Sequence, residues 1–211
     1  MLRVLAFIRR RPDLGRDRFR EHYEGVHVAT ALPVLGGLLG YQRQHVREAL
    51  FGAPDFDCMT IFEYPDARSA GATFARIQGP EGDPIRRDEA LFMDKAAERF
   101  FPAETGVAWR AGEAGDGDER LLVCLRRPAG ETPEGFRARG EGERLPALRA
   151  ALDRPRWCRA HWAREGSAFD AVIELACQGI GALPDWAREL AGQGAQVVAL
   201  RVSVHQTSLD G

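Results

Sequence analysis

The feature that most constrains this chain is that it repeats itself. Leu122-Val-Cys-Leu-Arg126-Arg127-Pro128 echoes Ala6-Phe-Ile-Arg-Arg10-Arg11-Pro12, and Trp157-Cys-Arg159-Ala-His161-Trp echoes Tyr41-Gln-Arg43-Gln-His45-Val. Phe136 stands for Phe19, and Phe169-Asp170 through Glu174 stands for Phe56-Asp57 through Glu63. These blocks follow one another in order at offsets of 113 to 117 residues, so one structural unit has been duplicated.

Each copy has the same run of elements. In the first, the apolar run Leu2–Ile8 predicts a strand, closed by Pro12 and Gly15. A helix to about Leu32 follows, then strands over Gly40–Arg47 and Phe56–Tyr64, a helix over Ala67–Ile77, a helical insertion over Ile85–Ala97, and a strand over Phe100–Trp109. The order βαββαβ predicts a ferredoxin-like unit, whose sheet has one face covered by helices and one that must find other cover. Two such units in tandem meet that need sheet to sheet. The expected class is therefore α+β, a pseudo-dimeric α/β barrel, with one unit over 1–110, a polar glycine-rich linker, and a second over 118–211.

Composition limits the partners. A net charge of −2 and 28% charged residues give no basic footprint for nucleic acid. No apolar run approaches the roughly 20 residues of a membrane span. The four cysteines are widely spaced, as buried free thiols of a reducing compartment would be, and a cytoplasmic protein is expected. No P-loop, GxGxxG after a strand, GxSxG or HExxH is present, so no nucleotide, nicotinamide or zinc site is indicated. The expected partner is a small-molecule substrate, and the expected cofactor is none. A homodimer of the tandem chain stays open.

The ionisable residues concentrate in Phe19-Arg-Glu-His22-Tyr23-Glu-Gly-Val-His27. At 100° per residue, Phe19, Tyr23, Val26 and Thr30 share a face, and the two histidines flank it about 140° apart. An imidazole gives or takes a proton near neutral pH without extreme tuning, so His27 one turn after Tyr23 is the candidate acid/base, with Tyr23 orienting or donating to an oxygen. The bland alternative is a core-edge histidine satisfied by a backbone carbonyl. His22, Tyr41, His45 and Glu104 are candidate ligand contacts. Tyr41, Arg43 and His45 alternate onto one strand face, where covering the sheet is the competing role, and it gains from the repeat at Trp157, Arg159 and His161. Asp88, Glu89 and Asp94, beside Arg86 and Arg87, have the look of a solvated helix end. In the second copy Arg139, Gly140 and Arg144 replace His22, Tyr23 and His27, which predicts one working copy and one structural copy.

With these residues in hand, the first copy resembles the EthD family of the dimeric α/β-barrel superfamily. The resemblance is carried by Arg10-Arg11-Pro12, the Phe19–His27 segment, Leu35-Gly-Gly-Leu-Leu-Gly-Tyr41, Phe56-Asp57, Phe62-Glu63 and the acidic segment Asp88-Glu89-Ala-Leu-Phe92-Met-Asp94. The second copy resembles a degenerate member of the same superfamily. The resemblance implies the ferredoxin-like fold and small aromatic or polyketide-like ligands held between the first helix and the sheet. It also implies a range of chemistries: cyclases, dehydratases, decarboxylases, isomerases, cofactor-free monooxygenases and haem-binding branches. The expected function is a cofactor-independent lyase or isomerase acting on a small aromatic, phenolic or polyketide-like carbonyl compound. A cofactor-free monooxygenase and a non-catalytic small-molecule or haem-binding protein are the alternatives.

Overall fold

The computed structural model describes residues 1–163, 167–207 and 209. The first copy runs β1 (Leu2–Ile8), α1 (Arg16–His22), a wide helical turn (Tyr23–His27), α2 (Val28–Ala31), β2 (Gly40–Phe51), β3 (Cys58–Tyr64), α3 (Ala67–Gln78), α4 (Asp83–Phe92) and β4 (Arg99–Arg110). The second runs β5 (Glu119–Arg126), α5 (Pro133–Arg139), a wide turn (Gly140–Arg144), α6 (Leu145–Ala151), β6 (Asp153–Ala163), β7 (Ala171–Gly179), α7 (Leu183–Gly192) and β8 (Gln196–Thr207). The chain is α+β. Its eight strands hydrogen-bond in the order β1-β3-β2-β8-β5-β7-β6-β4, a closed barrel. This is the class that the tandem reading predicts.

Two compact units can be distinguished: Met1–His45 with Asp55–Pro102 and Val204–Gly211, and Val46–Pro54 with Ala103–Ser203. In the first unit, β3 pairs antiparallel with β1 from Leu2↔Tyr64 to Ile8↔Cys58, and with β2 from Gly40↔Glu63 to His45↔Cys58. Register follows the apolar pattern, because a slip of one residue would turn every buried side chain outward. β2 is longer than expected and reaches Phe51. Gly40 is fixed by packing, since a Cβ there would lie 2.5 Å from the carboxylate of Glu63. The core of this unit includes Phe19, Tyr23, Phe92 and Met93 around Ala6, Ile8 and Cys58.

In the second unit, β7 pairs antiparallel with β5 and β6, and β4 pairs with β6 from Ala103↔Ala163 onward. Its core gathers Phe136, Leu145, Leu148, Trp162, Leu183 and Trp186 among others. Thr132 caps α5 by accepting the backbone N–H of Gly135, and Asp66 caps α3 through Ser69 in the same way.

The first helix departs from the expected geometry. At Tyr23–His27 the backbone widens, and the N–H of Val28 donates to the carbonyl of Tyr23, five residues back. Such π turns are uncommon and tend to occur at functional sites. The extra residue rotates everything beyond it. Val26, expected on the buried face, is 47% exposed, while His27, expected at the flank, is 5% exposed. The predicted stripe of Phe19, Tyr23, Val26 and Thr30 therefore gives way to one of Phe19, Tyr23, His27, Val28 and Ala31.

Candidate active site

A cavity of about 440 Å³ opens in the first unit, within the range of small-ligand pockets. Tyr23, His27 and Ala31 line it from the first helix, Tyr41 from β2, Phe62 and Tyr64 from β3, and Ile85 and Glu89 from α4. Ile77 and Phe74 of α3, with Lys95, Glu98 and Phe100, complete much of the remainder. Its walls are mostly apolar and aromatic, with a few polar groups among them.

His27 and His22 meet at Asp88. Nδ1 of His27 lies 2.8 Å from Oδ2 of Asp88, and Nε2 of His22 lies 2.8 Å from Oδ1. A carboxylate only accepts, so both ring nitrogens donate to it. This corrects the expected separation of the two histidines. An ideal α-helix would splay them, but the wide turn between residues 22 and 27 brings both to one carboxylate. The ring of Phe92 packs on both imidazoles, with centroids 4.8 Å from His22 and 5.0 Å from His27. Anchoring Nδ1 leaves Nε2 of His27 for the cavity. Burial pushes the His27 pKa below its ordinary value, and the hydrogen bond to Asp88 opposes this only in part. The ring is thus held neutral, as a base must be before it acts.

Asp88 and Glu89 are 8% and 9% exposed, not the solvated pair that the charge pattern suggests. A signal was present. Ile85, Asp88, Glu89 and Phe92 are spaced i, i+3, i+4 and i+7 and are all buried, so two carboxylates occupy the core stripe of α4. Glu89 accepts from Nζ of Lys95 at 2.7 Å, and Lys95 also donates to Glu98. Burial works against the Lys95 charge, but the two carboxylates outweigh it and raise its pKa. Burial raises the Glu98 pKa, with Lys95 in opposition. The only lysine of the chain therefore stands as a cation between two acids at the cavity.

The phenols form a second polar element. The hydroxyl of Tyr23 is 2.8 Å from Oγ1 of Thr60, and Tyr41 lines the same cavity. Burial pushes both pKa values well up, so both phenols keep their protons and remain donors. Tyr64, a third phenol on the wall, is pushed up to about 12 by burial.

The remaining candidates lie apart from the cavity wall. His45 donates from Nε2 to Oε1 of Glu24 at 2.6 Å, and Arg43 forks onto the same carboxylate, with Nη2 at 2.6 Å from Oε2. His205 stands 3.8 Å from Glu24, and its ring meets that of His45 edge to face. Burial opposes the Glu24 charge, but the bonds from His45 and Arg43 prevail and lower its pKa to about 2. His45 packs edge-on against Tyr23 at 5.4 Å, so it backs the site without lining the cavity. Glu104 belongs to the second unit, where it pairs with Arg137 at 2.6 Å, and it is absent from the cavity wall.

The second copy has the same wide turn, with the N–H of Leu145 bonded to the carbonyl of Gly140. Here Arg139 and Arg144 take the places of the histidines, and both pair with Glu131, at 2.9 and 3.3 Å. Trp162 fills the space that Tyr23 has in the first copy: a Cβ on Gly140 would lie 2.3 Å from its ring. A groove of about 390 Å³ lies beside Trp109, Leu145, Arg149 and Trp162, but no histidine lines it.

Among the described residues, no group of three or more His, Cys, Asp or Glu side chains could hold a metal ion. A haem would bring two carboxylates to be neutralised. The cavity's cations are already committed, Lys95 to Glu89 and Glu98, and Arg86 to Asp83 and the carbonyls of Ile77 and Gly79. The residues present do not fit that group.

Comparison with known proteins agrees with this architecture. Residues 11–96 match the family model of the EthD domain. Solved structures share the fold over the whole chain. An anthrone oxidase-like protein aligns over 100% of this chain and 94% of its own, with a TM-score of 0.63 and 12% identity. A mutant chlorite dismutase from Candidatus Nitrospira defluvii aligns over 96% of this chain and 91% of its own, with a TM-score of 0.54 and 10% identity. No curated protein matches the sequence. No helix among the described residues is long and apolar enough to cross a membrane.

Proposed function

We propose that this chain is a cofactor-independent enzyme of lyase or isomerase type, acting on a small aromatic, phenolic or polyketide-like carbonyl compound. The observation that carries the reading is the His27–Asp88 pair at the wall of the cavity: an imidazole fixed at Nδ1 by a buried carboxylate, with Nε2 left for a ligand. In this reading Nε2 of His27 takes a proton from a carbon next to a carbonyl. Tyr23, held by Thr60, and Tyr41 are protonated phenols on the cavity wall that would donate to the developing enolate oxygen. Such proton transfer by a positioned side chain contributes about 10²–10⁴-fold. The apolar walls accept the ring system. Asp88 joins the assignment as the residue that orients His27. His22 acts through Asp88, Tyr41 lines the ligand space, and His45 acts only from behind Tyr23.

The rival reading is a cofactor-free monooxygenase on the same site, and two putative monooxygenases are among the structures that share the fold. Both readings begin with removal of a proton from carbon, so the first test targets that step. Hydroxylated aromatic ketones and 1,3-dicarbonyl compounds are incubated with the protein in D2O, and deuterium entering the activated carbon is followed by NMR. The expected result is catalysed exchange that His27→Ala abolishes. Exchange undiminished in His27→Ala would sink the assignment. Oxygen uptake with the exchanging compound then separates oxygenase from lyase, and binding without exchange identifies a non-catalytic carrier.

A further inference from the structure

We propose that His22 is a positioning residue for His27: it holds the opposite oxygen of Asp88 and, by its own charge, sets how strongly Nε2 of His27 draws a proton from a ligand. The inference rests on the reading of His27 as the working base. Three observations carry it. The two imidazoles share one carboxylate, each at 2.8 Å and on different oxygens, so neither can change its bond to Asp88 without affecting the other. Exposure is graded along the trio, with 26% of the His22 side chain accessible against 9% for Asp88 and 7% for His27. His22 therefore meets solvent while His27 meets the cavity.

The third observation is internal to the chain. In the second copy, positions 139 and 144 again face a single carboxylate, but the residues are arginines and the acid is Glu131, which precedes the helix. Pairing the two positions across the wide turn with one acid is therefore part of the frame in both copies. What distinguishes the first copy is that its two residues are imidazoles, a group charged only when protonated, whereas a guanidinium is always charged. A purely structural clamp has no use for that difference.

The charged and titratable groups facing His27 are few. Asp88 and Glu89 approach from α4, His22 from α1, and the ring of Tyr23 packs at 5.0 Å. Lys95 lies beyond Glu89, which it neutralises. A proton on His22 commits Oδ1 of Asp88 to a cation and weakens the hold of the carboxylate on a second cation at His27.

The test reads the imidazole itself. Protein labelled with 15N at histidine is titrated by NMR as wild type, His22→Gln and His22→Arg. Glutamine can keep a donor on Asp88 without charge. Arginine makes the charge permanent, and Arg139 is its precedent in this fold. The expected order of proton affinity at His27 is His22→Gln highest, wild type between, and His22→Arg lowest, with the two variants about tenfold or more apart, the size of effect that one nearby charge exerts. Equal His27 titration in the two variants, or a higher affinity in His22→Arg, overturns the proposal. This readout is independent of turnover, so it is separate from failure of the catalytic reading, which the deuterium exchange of His27→Ala decides. If exchange is catalysed, its pH profile moves with the NMR midpoint in each variant.

Discussion

Trp162 occupies the space that a side chain on Gly140 would need, since a Cβ there would fall 2.3 Å from Cη2 of the indole. The ring is 5% exposed and packed in the core of the second unit, so it cannot swing aside freely. Gly140→Ala is expected to destabilise by about 1–3 kcal/mol, the usual cost of overpacking. Gly25, inside the corresponding turn of the first copy, has nothing within 4 Å of a built Cβ. Gly25→Ala is expected to be neutral or to stabilise by up to about 1 kcal/mol, because alanine is the better helix former. Denaturant unfolding of the two variants checks the contrast.

Asp88→Asn keeps the shape of the carboxylate but lets an amide N–H face Nδ1 of His27. The imidazole is then free to take the other tautomer, with the proton on Nε2 and no lone pair for the ligand. The expected outcome is loss of about 10²-fold or more in the deuterium exchange rate, with little change in ligand affinity. Rate against substrate concentration separates the two effects. A loss confined to KM would assign Asp88 to ligand binding instead.

Stability should fall in acid in two stages. Burial lowers the pKa values of His27 and His45 in the folded protein below the ordinary 6.5. The unfolded chain then binds more protons than the folded one as pH drops, so the contribution is complete above about 6.5 and declines as pH falls toward the folded values. Glu24, lowered to about 2 from 4.5, adds a second decline over that interval. Urea midpoints measured from pH 8 to pH 3 should show both. His27→Gln should reduce the first stage to the share of His45 and leave the second.

Ala31 lines the cavity from α2, one helical turn beyond His27. Ala31→Phe would fill part of the ligand space without removing Asp88 or either imidazole. Affinity for an exchanging compound, or for an apolar naphthalene dye, should drop at least about tenfold, the worth of roughly 1.4 kcal/mol. Undiminished binding would place the ligand elsewhere.

Much of the frame is legible in the chain because local chemistry and tertiary need agree there. The apolar run Leu2–Ile8 is β1 as expected, and Tyr41, Arg43 and His45 do share a buried face. Pro65 and Asp66 end β3 and open α3 where turn chemistry puts them. The site was less legible for two physical reasons. Nothing in Tyr23-Glu-Gly-Val-His27 announces a five-residue turn, and angles drawn for a regular helix fail beyond it. Charged residues on α4 look solvated unless the spacing of Ile85, Asp88, Glu89 and Phe92 is given more weight than their polarity. Tyr23 and His27 are recoverable from the sequence alone. Asp88, which joins His27 to His22, needs the fold.

The wide turn has a consequence for the history of the chain. It amounts to one residue more than a regular helix requires, and it sits at 23–27 and again at 140–144, the same place in each copy. Two separate insertions at matching positions are a less economical account than one insertion in a single-copy ancestor. The ancestor would have been half this length and able to meet a second molecule of itself. On that account the bent helix is older than the fusion, and the division of labour between its two descendants came afterwards. One copy now carries two histidines at these positions, and the other carries two arginines and a tryptophan that fills the space.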